Sequence, residues 1–446
     1  MVRCGVGAVN IEAPDAVPVA MPALPSSPPD RDPYLAFRHR SYRLFFGGRL
    51  LFQVGNQMQV AAIGWLVYER FGTTMALAYV GLVQVIPVFF GVLPAGHLAD
   101  RLDRRKILLV SQSIFFCCSL ALGLLSLLGG PPVWMYPILF VMALGRVFAL
   151  PAVSSLVPLL IPRESLANAT TWTSTLIELS GLIGPALGGA IIAFSGSATP
   201  VFFLTTGCAL LCIPLFASLP LREQPGLTAG GVAGVSWEWD DLLSGFRFIL
   251  KNRLLLAAAC LDLFATLFGG VMALLPVVAK DLLHAGPEGF GWLRAAPSFG
   301  AVAMAVVTTH LPPWRRSGRV LFFAVVGFGL AVIVFGFSTS FWLSFAMLVL
   351  TGVFDNINVV IRQTLIQYIT PEVMRGRIMA INFFCVGTSN ELGAFESGLA
   401  ARLFGTVPSI VLGGVGTFLA VAAVMRLSPG LRRLGPLHEV KAIPHL

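Results

Sequence analysis

Charge is what this sequence has least of. Asp, Glu, Lys and Arg make up 11% of its 446 residues against 56% hydrophobic ones, and a mean hydropathy of +0.84 excludes a soluble globular enzyme. Lysine is scarce as well. The four lysines follow Arg105, Leu250, Ala279 and Val440, so there is no Gly-Lys-Ser/Thr phosphate loop and ATP does not drive this chain directly. The seven cysteines are odd in number and fall mostly inside apolar stretches (Cys117, Cys118, Cys208, Cys212, Cys260, Cys385), where they act as small apolar fillers and not as a disulfide framework. The six histidines are scattered, with no pair at a ligand spacing. No metal site, no cofactor and no catalytic nucleophile with a base is expected.

What the chain does have is twelve long apolar segments, each able to cross a hydrocarbon layer of roughly 30 Å as a helix. They run over 44–69, 76–96, 106–128, 132–156, 167–194 and 199–219, then over 254–283, 289–310, 318–337, 340–363, 376–404 and 406–427. In lipid the backbone must satisfy itself within each segment, and the alternating pattern of barrel strands is absent. The predicted fold is an all-α membrane protein of twelve transmembrane helices in two six-helix bundles.

Of the 30 Lys and Arg residues, 23 fall on one side of these segments, which makes that side cytoplasmic and puts both termini there, in a cell or inner membrane. The net charge of +9 follows from this topology and reads as anchoring against anionic lipid heads; no basic run is long enough for a nucleic-acid arm. Residues 1–43 read as a disordered cytoplasmic tail, with Glu12, Asp15 and Asp30 in place of a signal peptide's apolar core. The organisation expected is therefore this tail, a first bundle over 44–219, a cytoplasmic linker over 220–253, a second bundle over 254–427 and a C-terminal tail over 428–446.

The two halves repeat each other. At one common offset Arg146 matches Asp355, Pro162 matches Pro371, and Gly184-Pro185-Ala186-Leu187-Gly188-Gly189 matches Gly393-Ala394-Phe395-Glu396-Ser397-Gly398. At a slightly larger offset His97-Leu98 with Lys106-Ile107-Leu108 matches His310-Leu311 with Arg319-Val320-Leu321. Two related bundles of the same orientation imply a pseudo-twofold axis along the membrane normal and a central site that opens to either face by rocking.

The stretch Gly96-His97-Leu98-Ala99-Asp100-Arg101-Leu102-Asp103-Arg104-Arg105-Lys106, between segments 2 and 3, resembles the loop motif of the major facilitator superfamily. Asp103 stands where that pattern has a second glycine, as in the branch of transmembrane secretion effectors that contains the enterobactin exporter. Pro162 to Ala169, Leu261 to Gly270 and Arg375-Gly376-Arg377 resemble the same branch, and the likeness covers about residues 35 to 427. The resemblance implies a cytoplasmic latch in which Asp100 and Arg101, with Gly96, Arg104 and Arg105, bridge to the start of segment 11; these cations equally mark the cytoplasmic face. Gly184, Pro185, Gly188 and Gly189 resemble the motif of exporting members, although Ser180 replaces its leading glycine, and a packing bend explains them nearly as well.

The resemblance also implies that segments 1, 4, 7 and 10 line the cavity, and Arg49, Arg146, Asp262 and Asp355 fall one on each. An ionised group near the membrane centre costs at least about 2.5 kcal/mol, so each must face protein or water. Arg146 matches the buried arginine of the superfamily's helix 4 motif, although Leu150 stands where that motif has a glycine. Asp355 is the first candidate for a protonatable carboxylate, with an expected pairing to Arg146 across the pseudo-twofold axis. Asp262 is second, and Glu178 and Glu391 are third. Arg362 lies about two turns below Asp355 on a similar face. Structural ion pairs between helices are the competing reading for all of these. On segment 1, Arg49, Gln53, Asn56 and Gln57 form one polar stripe, suited to hydrogen-bonding a substrate or to gluing helices together.

The function expected is proton-coupled export of a small amphipathic or hydrophobic solute, drug-like or siderophore, by a monomer whose partners are the solute, protons and the lipid bilayer. A phospholipid or lysophospholipid mover is the alternative within transport, and a non-transporting membrane sensor or scaffold is the alternative outside it.

Overall fold

A computed structural model describes residues 32–219, 246–310 and 314–436. Its long helices are α1 (Arg40–Phe71), α2 (Thr74–Arg101), α3 (Arg104–Leu127), α4 (Met135–Leu160), α5 (Leu166–Ser195), α6 (Thr199–Ala217), α7a (Arg253–Phe268), α7b (Val271–Val277), α8 (Gly286–His310), α9 (Ser317–Phe337), α10 (Phe341–Ile369), α11 (Glu372–Phe404) and α12 (Thr406–Leu427). With α7a and α7b counted as one, there are twelve among the described residues. Ten have the length and apolar composition to cross a membrane. The other two, α1 and α11, are the longest, at 32 and 33 residues, and carry more polar side chains. Large apolar groups such as Phe90, Leu128, Phe194 and Trp342 are exposed, as lipid-facing surface requires.

Local chemistry sets the ends. Gly72 and Gly196 take the left-handed conformation that closes α1 and α5. The Asp103 carboxylate accepts from the Arg105 N–H to cap α3, and Asn252 caps α7a through the N–H groups of Leu254 and Leu255. Several helices run a turn further than hydropathy alone suggests, because their polar ends continue past the apolar layer. Segment 7 departs from expectation: it breaks at Gly269 and Gly270 and ends in a π-helical turn, Val278–Leu282.

The expected tails need correction near the bundles. From Asp32 the chain is tied to α5: the Pro33 carbonyl accepts from Asn168 Nδ2 and Trp172 Nε1, each at 2.8 Å, before the short 3₁₀ turn Leu35–Arg38. At the other end the short helix α13 (Pro429–Arg432) buries Leu431. Residues 1–31, 220–245 and 437–446 of the expected tails and linker lie outside the described residues.

Packing repeats with a period of six helices. In the first bundle α1 packs on α5 and α6, α4 packs on α2 and α3, and α3 packs on α6; in the second, α7 packs on α11 and α12, α10 on α8 and α9, and α9 on α12. The bundles meet along α5 with α8 and α2 with α11, two seams that exchange under the same relation. Backbones touch there: a Cβ on Gly291 would lie 2.6 Å from the Pro185 carbonyl oxygen, and one on Gly81 would lie 2.6 Å from that of Glu391.

The core is asymmetric from end to end. Toward the face opposite the termini, one apolar cluster runs through both bundles, from Met58 to Tyr68 of α1 across to Val271, Leu274, Val278, Phe290 and Leu293. Toward the face that carries the termini it splits into separate clusters, one around Tyr42, Phe45, Leu156 and Phe216, the other around Leu255, Leu321, Ile361 and Ile369. Among the described residues, the apolar core is continuous between the bundles toward the far face and divided between them toward the face of the termini.

Candidate functional site

Three helices of the second bundle are knotted by one buried ion pair. Arg362 of α10 reaches Asp262 of α7a at 3.1 Å, with 5% and 6% of the two side chains exposed. Asn358, one turn earlier on α10, donates to the other Asp262 oxygen at 2.7 Å, and Arg362 also donates to Asn382 Oδ1 of α11 at 2.5 Å. Burying such a pair requires further bonds of this kind; here both Asp262 oxygens are paired, whereas Arg362 Nε and Asn358 Oδ1 have no partner among the described residues. Asp355 lies on the same face of α10, seven residues from Arg362. Its side chain is exposed and forms no hydrogen bond or ion pair with a described residue, although it feels the charges of Asp262, Arg362 and Glu178.

Asp355 opens onto a cavity of about 290 Å³. Thr266 and Met272 of α7, Ser298 of α8, Phe328 and Phe335 of α9, Thr351 of α10 and Asn390 of α11 form its walls together with Asp262 and Arg362. Glu178 of α5 also lines it and is the first bundle's one contribution. The break at Gly269 and Gly270 opens the α7 wall, and both glycines lie on the cavity.

Arg146 does not meet Asp355. It bonds Glu391 of α11 at 2.9 Å, an ion pair between bundles that is 41% exposed on the arginine side. The reason is packing: α11 lies against α2, which lies against α4, whereas α10 is turned toward α8 and α9. Arg294 of α8, which sequence reasoning did not single out, donates to the Met272 carbonyl at 3.3 Å and feels the charge of Glu391. Pro276, four residues after Met272, has no N–H for that carbonyl, and Arg294 supplies the missing donor. The proline inside segment 7 was the available signal.

The polar stripe of α1 is half-buried. Arg49 lies 5.7 Å from the Phe52 ring centre, and Gln53, Asn56 and Gln57 make no side-chain hydrogen bond to a described residue. Gln57 packs at the α1 and α5 contact beside Gly181 and Gly184. A second polar knot, also missed, sits inside the first bundle, where buried Gln59 accepts from Ser119 at 2.7 Å and donates to the Met142 sulfur.

The glycines of the exporter-like motif serve two surfaces. Gly184 and Gly188 admit α1 at Gln57 and Met58, whereas Gly189 abuts Gly291 of α8. Helix α5 continues through Pro185. Of the loop motif, the α2 backbone is helical to Arg101 and Asp103 caps α3; the side chains of Gly96, Asp100 and Arg101 lie outside the described residues. Arg104 and Arg105 open α3. At the far face Tyr68 donates to Asp281 from α1 to the end of segment 7, and Lys280 Nζ lies 5.7 Å from the Tyr68 ring centre. Trp65 and Phe290 pack beside them with centroids 5.6 Å apart.

The arrangement is that of a multi-pass membrane protein with charged groups gathered where two bundles meet, and comparison with known proteins agrees. The chain is 29% identical over 402 residues to the enterobactin exporter EntS of Citrobacter koseri, covering 89% of this chain and 93% of that one. Against the enterobactin exporter EntS of Shigella boydii it is 28% identical over 353 residues, 78% and 82% of the two chains. A bacterial homolog of the human lysosomal transporter Spinster, solved inward-facing and occupied, superposes with a TM-score of 0.70 at 15% identity, over 89% of this chain and 99% of that one. The nucleoside transporter NupG gives 0.65 at 13% identity, over 87% and 99%. These proteins are transporters, not enzymes. A family profile described as transmembrane secretion effector matches residues 32–435, and the chain belongs to that family of the major facilitator superfamily.

Proposed function

We propose that this chain is a secondary active exporter of a small amphipathic or hydrophobic solute, drug-like or siderophore, that exchanges its solute for protons by alternating access. The observation that carries the reading is the pairing of a charged cavity with a core that is continuous at one face and parted at the other. Positive-inside topology assigns the face of the termini to the cytoplasm, so this conformation takes solute from the cytoplasm. Rocking about the α5 with α8 and α2 with α11 seams then closes that side and breaks the contacts of Tyr68, Trp65 and Asp281. In this reading Asp100 and Arg101 latch the cytoplasmic side after rocking, and Arg146 with Glu391 is the ion pair that must rearrange. The name of the relatives, enterobactin exporter, supports a siderophore as one solute class.

The proton has two roles available. Asp355, unpaired and open to the cavity, is the first candidate carrier, whereas Asp262 is held by Arg362 and Asn358 and serves to fix α7 against α10. A monomer contains both bundles and the whole path. The test is flux into liposomes under a pH gradient with a hydrophobic cation, a catecholate siderophore and a lysophospholipid. Gradient-dependent movement of either of the first two, absent from empty liposomes, is expected. Movement of the lysophospholipid alone would replace the reading with a lipid mover, and no movement of any of the three would remove it.

A further inference from the structure

Resting on the transport reading and choosing among its solutes, we infer that the 290 Å³ cavity between α5 and the second bundle is a site for an amphipathic organic cation of the drug-like class, held between Asp355 and Glu178. The charges lining that cavity do not balance. Three carboxylates, Asp262, Asp355 and Glu178, face it against one guanidinium, Arg362. Arg362 is already committed to Asp262. Asp355 and Glu178 have no ion-pair or hydrogen-bond partner among the described residues. Arg146 and Glu391 pair across the neighbouring seam, and Arg294 sits behind the wall, its guanidinium on the Met272 carbonyl; none of the three lines this space. An uncompensated carboxylate deep in a membrane protein needs a proton or a cation beside it.

The rest of the wall says which cation. Phe328, Val332, Phe335, Leu348 and Met272 present an apolar and aromatic surface that a bare metal ion, which demands several oxygen ligands, would not use. Such a wall suits an amine or quaternary ammonium with an apolar body, the cationic head also meeting aromatic rings. The volume, at the lower edge of drug-sized sites, fits a small molecule or one end of a larger one.

The two carboxylates belong to different bundles. Glu178 lies one turn from Gly181, which abuts Ser298 across the α5 and α8 seam. Both ionised, Glu178 and Asp355 repel and favour the parted cytoplasmic side; a cation between them removes the repulsion and draws the bundles together. Protons neutralise the same pair, so proton and substrate compete for one site and exchange follows without a separate proton path. The charged groups that share the cavity wall with Asp355 are Asp262, Arg362 and Glu178; Asp262 and Arg362 are paired with each other, which leaves Glu178 as its free neighbour.

The experiment measures binding to the full chain in lipid nanodiscs with two probes of one carbon skeleton, phenylbutyltrimethylammonium and phenylbutanesulfonate. The ammonium is expected to bind saturably, more tightly at pH 8 than at pH 5, and the sulfonate not at all. Asp355→Asn and Glu178→Gln are each expected to weaken the ammonium about tenfold or more, the worth of a charged contact, while melting near the wild-type temperature. Equal binding of both probes, pH-independent ammonium binding by the wild type, or full affinity in both variants would overturn the proposal. The wild-type comparison of charge and pH decides even where a variant fails to fold. Ammonium binding without flux of any solute would overturn the transport reading alone; flux of neutral solutes without ammonium binding would overturn this inference alone.

Discussion

Removing Arg362 tests the buried knot. With only about one twentieth of either side chain exposed, Arg362→Met leaves Asp262 in the bundle interior with the Asn358 amide as its remaining partner. It also frees Asn382 Oδ1. Breaking a buried pair by deleting one partner costs about 3 to 5 kcal/mol, because the survivor stays charged and unpaired. The methionine fills most of the volume, so little of this is cavity formation. At about 2 to 4 °C per kcal/mol for a unit of 150–250 residues, close to one bundle, the lower figure predicts a melting temperature down by roughly 6 to 12 °C. The assay is thermal unfolding in detergent of the wild type, Arg362→Met and the double variant Asp262→Asn with Arg362→Met. The double variant carries no buried charge and is expected to recover most of the loss; low pH is expected to rescue the single variant, since a protonated Asp262 needs no counter-charge. A single variant that melts within about 2 °C of wild type at neutral pH, or a double variant no better than the single, would refute the reasoning.

Three further outcomes follow from the seams and gates. Tyr68→Phe deletes a hydrogen bond to a carboxylate, worth about 1.5 to 3 kcal/mol, and is expected to raise labelling of a cysteine placed at position 64 or 65 by about tenfold; unchanged labelling contradicts a Tyr68 and Asp281 closure. Gly291→Val thrusts a branched side chain at the Pro185 carbonyl, where a Cβ alone would lie 2.6 Å away, and should abolish transport in protein that still reaches the membrane, whereas normal transport would show that the seam need not be this close. Asp100→Asn should increase probe access to cysteines at the cytoplasmic face and slow transport, and no change in either removes the latch.

Helix positions were legible in the sequence because lipid leaves few choices: an apolar run must close its own hydrogen bonds, and only its ends and the break at Gly269 and Gly270 escape the hydropathy profile. The six-helix repeat was legible too, as the matched Arg146 and Asp355 positions indicate. Their contact was not, because repeat equivalence fixes where two residues sit in their own bundles and says nothing of which helix each meets across the axis. There the α2 with α11 seam decides, and it delivers Glu391 to Arg146. On α10, spacing put Asp355 and Arg362 on one face; that Arg362 is spent on Asp262 and Asn382, leaving Asp355 free, depends on α7 and α11 arriving at that level. Arg294 and Gln59 were passed over for the same reason, since each satisfies a group on another helix.

The most direct measurement of the account is solute flux in proteoliposomes carrying wild type or Asp355→Asn, with the pH gradient imposed in either direction. Flux that follows the gradient, reverses with it, and is lost in Asp355→Asn while the protein remains folded in the bilayer is the predicted result. Gradient-driven flux at the wild-type rate in Asp355→Asn would contradict the assignment of the proton to this site, and wild-type flux indifferent to the gradient would contradict exchange altogether.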